Sequence, residues 1–230
     1  MRYVMSDIHG EYELFLALLD KIGFSDKDEL YVCGDVIEKG CSSVRLLKKL
    51  AGMPNAHLIL GNHEYELIKL YNCLMQDNGG DYELVLERLR EHIEGDGEML
   101  EWEDVDFIES LPSYIETDDF ICVHAGVVLK DGTVPPIVDV EIEELMYDRS
   151  FKEPDVIPKR SKCVFFGHTA TTAICDEARI LAYKRPECNT GTIGDYAKVH
   201  LDTCTFVSGT LGCFSVDECK AYYVERSELK

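Results

Sequence analysis

The first 60 residues alternate between short apolar runs and amphipathic stretches, and this alternation constrains the fold more than any other feature. "RYVM" is a short β-rich run, after which Phe15, Leu18, Leu19 and Ile22 fall at i, i+3, i+4 and i+7, one face of a helix closed by Gly23. "ELYVC" is a second strand, Ser42 or Ser43 can cap a helix through "VRLLKKLAG", and "AHLIL" is a third strand leading into the helical "YELIKLYNCLM". A β-α-β-α-β order predicts parallel strands joined by right-handed crossovers.

From about residue 76 to 117 the alternation breaks. Turns are expected at "DNGGD" and "GDGE", with helical patterns in "YELVLERLREHIE" and "EWEDVDFIESLPSYIE", so this stretch reads as a mainly helical insertion. Apolar strands resume at "DFICVHAG" and "CVFFGHT". Beyond about residue 179, "RILAY", "KVHLDT", "GCFSV" and "KAYYVE" predict an antiparallel, hairpin-rich ending. At 230 residues, one domain carrying the insertion is the expected organisation.

The polar residues at the strand ends carry the chemistry. Asp7 and His9 follow the first strand, Asp35 the second, Asn62 and His63 the third, His124 lies in "CVHAG", and His168 follows "CVFF". In open α/β sheets the loops at the carboxyl ends of strands share one rim, so these residues can converge. His57, at the start of a strand, and His92, on the insertion, read as structural. Imidazole, carboxylate and carboxamide together suit Mn²⁺, Fe²⁺ or Zn²⁺ rather than a thiolate-bound ion. The set exceeds what one tetrahedral ion needs; two ions about 3.5–4 Å apart, bridged by one carboxylate, would use all of it.

Composition limits the partners. The formal charge is −21, from 44 acidic and 23 basic residues, which disfavours nucleic-acid polymers and anionic membranes. An anionic substrate would then need a local positive centre, which metals supply. The opening "MRYVMSDIHG" meets Asp7 and His9 too early for a signal peptide, and no stretch approaches the roughly 20 apolar residues of a membrane span. The ten cysteines form no C-x-x-C pair, and Cys33, Cys122 and Cys163 sit in apolar runs, as expected of reduced cysteines in a cytoplasmic protein.

Taken together, "SDIHG", "GDVIEKG", "LGNHE", "VHAG" and "FGHT" resemble the calcineurin-like metallophosphoesterases, and within them the phosphoprotein phosphatase branch, which includes bacterial Ser/Thr phosphatases and symmetrical dinucleoside tetraphosphate hydrolases. The resemblance implies an α/β fold, a β-sandwich flanked by helices. It makes Asp7 and His9 ligands of a first metal, Asp35 the bridge, and Asn62, His124 and His168 ligands of a second. It also implies a metal-bridging water or hydroxide as nucleophile, His63 as the acid that protonates the leaving oxygen, and Glu38, where the branch usually has Asp, as the carboxylate orienting it. Lys39 stands where the family has a phosphate-binding arginine, Arg149 in "MYDRSF" is a possible match to a second, and Leu60 occupies a position where many relatives carry Arg. Ala170 replaces the second His of many other branches. His200 in "KVHLDT" either approaches the metals or packs.

The first functional reading is a phosphoserine or phosphothreonine protein phosphatase. The second is hydrolysis of a symmetrical dinucleoside polyphosphate, with Tyr71, Tyr82, Trp102 or Tyr114 of the insertion region stacking on a base. A third, of another class, is a degenerate fold kept as an interaction module, which should have lost ligands.

Overall fold

The computed structural model describes residues 1–77, 79, 81–93, 98–159 and 161–229. Two five-stranded sheets form its centre. The first contains β1 (Arg2–Met5), β2 (Glu29–Val32), β3 (Ala56–Leu58), β9 (Thr210–Ser215) and β10 (Lys220–Glu225), in the order β10-β9-β1-β2-β3. The second contains β4 (Tyr114–Glu116), β5 (Phe120–Val123), β6 (Cys163–Phe166), β7 (Leu181–Lys184) and β8 (Tyr196–His200), in the order β4-β5-β6-β8-β7.

The period-two pattern of the strands builds the layers. Val4 of β1 faces the second sheet, packing with Phe120, Cys122, Phe165 and Val199. Its neighbours Tyr3 and Met5 face α1 (Tyr12–Ile22) and α2 (Ser43–Ala51), meeting Leu14, Phe15, Leu18, Leu46 and Leu50. The outer face of the second sheet, through Ile121, Val123, Val164 and Phe166, is covered by α3 (Asn62–Asp77), α4 (Tyr82–His92), α5 (Trp102–Ser110) and α6 (Ile142–Tyr147). A one-turn helix, α7 (Thr205–Ser208), follows β8. The result is a β-sandwich flanked by helices on both faces.

The expected parallel pairing holds: Val4 aligns with Tyr31 across β1 and β2, and Val32 with Leu58 across β2 and β3. Gly23 closes α1 at φ 63, where its N–H reaches Asp20 and Leu19 carbonyls. Three expectations change. The third strand stops at Leu58, because the Leu60 N–H turns away to the Pro112 carbonyl. The ending is antiparallel in the β9–β10 hairpin and in β7–β8, but β8 runs parallel to β6, aligning Val199 with Phe165. Segment 76–117 holds α4 and α5 and also the edge strand β4, paired to β5. The turns expected at "DNGGD" and "GDGE" lie largely outside the described residues.

Candidate metal centre

The carboxyl ends of β1, β2, β5, β6 and β8 open onto one edge of the sandwich, beside the N-terminus of α3, and the polar residues of the sequence motifs gather there. Their backbone is unusual. Asp7, His9, Asp35, Glu38, Lys39 and His168 all have φ between 49° and 66°, six of the nine non-glycine residues with positive φ among those described. Such conformations cost of order 1–3 kcal/mol each and concentrate at functional sites. Glycines are needed where the carboxylates approach the backbone most closely: a Cβ on Gly61 would overlap the Asp35 carboxylate, and one on Gly167 would overlap that of Asp7.

Glu64, in the first turn of α3, fixes this geometry. Its buried carboxylate accepts the N–H groups of Asp35 (2.9 Å), Val36 (2.8 Å), Ile37 (3.1 Å) and Gly61 (2.9 Å), tying the loop after β2 to the start of the helix.

Asp35 lies at the centre. Its Oδ2 is 3.5 Å from His9 Nε2 and 3.8 Å from His63 Nε2, and its Oδ1 is 3.4 Å from His124 Nε2. Asn62 Oδ1 lies 3.0 Å from His124 Nε2 and 2.8 Å from His168 Nδ1. Two groups result, His9 with Asp35 and His63, and Asp35 with His124 and His168.

The direction of the lone pairs tests whether cations fit. His124 Nδ1 is 2.8 Å from the Cys33 carbonyl and His9 Nδ1 is 3.0 Å from that of Ile37, so each of these nitrogens carries the proton and donates. The His124 Nε2 lone pair therefore points inward, at the Asn62 carboxamide and Asp35 carboxylate oxygens, which also bring only lone pairs. Such a cluster of acceptors is repulsive by itself and complementary to divalent cations, and an Nδ1–H bound to a carbonyl is the usual way a ligand imidazole is oriented. The ammonium of Lys39 sits 2.7 Å from His9 Nε2, satisfying that lone pair with a positive charge.

Burial and mutual repulsion disturb the acids here. Burial, with the Asp35 charge, raises Asp7 to about 6, and burial, with the Glu64 charge, raises Asp35 to about 7. Asp7 accepts from Ser6 Oγ at 2.5 Å and from the His168 N–H at 3.1 Å. Burial lowers His9 and His168 to about 3, with help from Lys39 and His124 respectively. His63 goes the other way. Burial alone would lower it, but the Glu38 bond and the Asp35 charge more than offset this, and its pKa is raised. His63 Nδ1 donates to Glu38 Oε2 at 2.5 Å, and the ring is stacked edge-on against His9 at 4.9 Å.

The other expected residues fall as follows. Arg149 borders the cluster, donating to Thr169 Oγ1 at 3.2 Å, and its charge helps depress His168. Leu60 is buried in the apolar layer against α3 to α6. His200 stacks on Phe166 at 4.5 Å with its Nε2 on the Thr169 carbonyl and belongs to neither group, and its Nδ1 is buried with no hydrogen-bond partner among the described residues. His92, read as structural, has its Nε2 3.2 Å from Glu38 Oε1. Tyr71, Trp102 and Tyr114 pack against the apolar core, and exposed Tyr82 meets Trp102 edge-on, so these rings act mainly as packing.

Sequence reasoning missed Asp202. Buried just after β8, it is raised to about 8 by burial and by the Asp7 charge, which marks it as a neighbour of the cluster. The signal in "KVHLDT" is an acid directly after a strand.

Residues 3–187 match the calcineurin-like phosphoesterase model, so the chain belongs to that family. The chain is 28% identical over 155 residues to the symmetrical bis(5'-nucleosyl)-tetraphosphatase of Buchnera aphidicola, a match covering 65% of this chain and 53% of that protein. It thus spans about half the length of the curated relatives it matches. In fold it is similar to a proposed diadenosine tetraphosphatase, with a TM-score of 0.69 at 19% identity, covering 97% of this chain and 92% of that one. It is also similar to a Saccharomyces cerevisiae protein serine/threonine phosphatase, with a TM-score of 0.58 at 16% identity, covering 97% and 79%. No helix among the described residues is long and apolar enough to cross a membrane.

Proposed function

We propose that the chain hydrolyses phosphate esters or anhydrides at a two-metal site shared through Asp35. The observation that carries this reading is that the two oxygens of Asp35 face different imidazoles, Oδ2 toward His9 at 3.5 Å and Oδ1 toward His124 at 3.4 Å. Asp7, His9 and Asp35 would hold one ion, and Asp35, Asn62, His124 and His168 the other. The mixed nitrogen and oxygen set supports Mn²⁺, with Fe²⁺ or Zn²⁺ as alternatives. When bound, such a pair supplies the positive charge and the activated water that in-line displacement at phosphorus needs.

The chain's own residues do the rest. His63 differs from His9 and His168 in that its surroundings favour the protonated form, which suits the acid that hands a proton to the leaving oxygen. Glu38 holds its Nδ1–H and so aims Nε2 at the reacting centre. Lys39 and Arg149 provide the cations beside the cluster for the phosphoryl oxygens.

For substrate, a symmetrical dinucleoside polyphosphate is the better supported reading, because the Buchnera relative carries that name. The half-buried rings of Tyr65 and Tyr147 support it too: they lie 6.4 Å apart, and Tyr147 is 6.4 Å edge-on from His168, within reach of a base. The phosphoserine and phosphothreonine reading is the competing arm of one assay. With Mn²⁺, kcat/KM for diadenosine tetraphosphate should exceed that for a phosphoserine peptide, with ADP as the sole nucleotide product; a larger value for the peptide reverses the order. The cysteines, all free among the described residues, support a reducing, cytoplasmic setting.

A further inference from the structure

The insertion reaches the reacting centre through one side chain. His92 is the last residue of α4, a helix anchored in the core by Val85, Leu86 and Leu89. The neighbouring Arg90 is tied down as well, its Nε donating to the Leu100 carbonyl at 2.8 Å. From this fixed base, His92 Nε2 lies 3.2 Å from Glu38 Oε1, while His63 Nδ1 holds Glu38 Oε2 at 2.5 Å. Each carboxylate oxygen therefore has its own imidazole.

This arrangement has a physical reason. Glu38 is one methylene longer than aspartate and has one more rotatable bond, a broad terminal torsion that a single hydrogen bond leaves loosely set. A second imidazole against the other oxygen, at 3.2 Å, restrains the carboxylate plane, and with it the direction of His63. The position at the end of α4 also suits a donor, since a helix C-terminus favours positive charge.

We propose that His92 is a positioning residue for the leaving-group acid: by pairing with Glu38 Oε1 it fixes the carboxylate that aims His63, which makes the helical insertion part of the support for proton delivery. The inference rests on the assignment of His63 as acid.

The test uses Mn²⁺-loaded protein and two esters that differ in their need for a proton. p-Nitrophenolate leaves readily without one, whereas phenolate does not. His92→Ala should lower kcat on phenyl phosphate roughly tenfold, part of the 10²–10⁴ that a positioned acid contributes, and change it less than about twofold on p-nitrophenyl phosphate. KM and Mn²⁺ content should not move. His92→Gln, which retains a donor, should recover most of the loss, and in a His63→Asn background His92→Ala should have no further effect on either ester. Equal losses on both esters, or none on phenyl phosphate, overturn the positioning role. A wild-type protein inactive on both esters would count against the proposed reaction instead. In that event the downfield proton resonance of His63 Nδ1–H decides: its loss in His92→Ala supports the role, and an unchanged resonance overturns it.

Discussion

The Glu64 side chain receives the backbone N–H of Asp35 at 2.9 Å, and this buried bond holds the central carboxylate of the cluster in place. The same carboxylate accepts three further N–H groups, so it neutralises the start of α3 and the turn after β2 together. Glu64→Gln removes the charge and turns a donor amide toward groups that also donate. We expect a loss of about 1–3 kcal/mol in urea unfolding, the cost of leaving buried N–H groups without an acceptor, together with weaker Mn²⁺ binding. A Glu64→Gln protein as stable as the wild type would show that this carboxylate is not what sets the loop.

The acids of the cluster give the metal-free protein a characteristic dependence on pH. Asp7, Asp35 and Asp202, raised to about 6, 7 and 8, keep their protons in the folded chain where unfolded carboxylates, with ordinary values near 4, have lost them. The stability they contribute is fully present below about pH 4 and is lost as pH rises through 6 to 8. Bound metal would take the place of the protons on Asp7 and Asp35. After chelation, Tm should therefore fall between about pH 5 and about pH 8, and Mn²⁺ should raise Tm more at the higher pH. Equal Mn²⁺ shifts at both values would contradict this.

His63 and Glu38 make a separate prediction about rate. An acid must be protonated to act, so kcat/KM should decline on the alkaline side of the raised His63 pKa. Glu38→Gln removes the charge and strong acceptor that hold it up, and should move that alkaline limb to lower pH. His63→Asn should lower kcat by roughly 10²–10⁴ while leaving bound metal nearly unchanged. If metal is lost from His63→Asn as fully as from Asp35→Asn, then His63 is a ligand rather than the acid.

Much of this was legible in the sequence, because the rules involved are local. The alternation of apolar runs pointed to parallel pairing among β1, β2 and β3, and the polar residue after each strand marked the rim where Asp7, Asp35, Asn62, His124 and His168 converge. What was not legible depends on long-range geometry. That β8 runs parallel beside β6 follows from a return of some 30 residues, outside the reach of hairpin rules, and it is this return that delivers Asp202. His92 looked structural because no periodicity shows that the end of α4 lies over the loop carrying Glu38. For His200, "KVHLDT" gives no sign of the Phe166 ring on which it stacks, because that neighbour lies on another strand.

The central claim is that Asp35 is shared by two metal ions. Metal content of extensively dialysed, Mn²⁺-loaded protein, measured by elemental analysis beside Asp35→Asn, tests it most directly. The account predicts two ions per wild-type chain and less than one in Asp35→Asn, with the fold retained by circular dichroism. Two ions still bound in the folded Asp35→Asn protein, or none in the wild type, would contradict it.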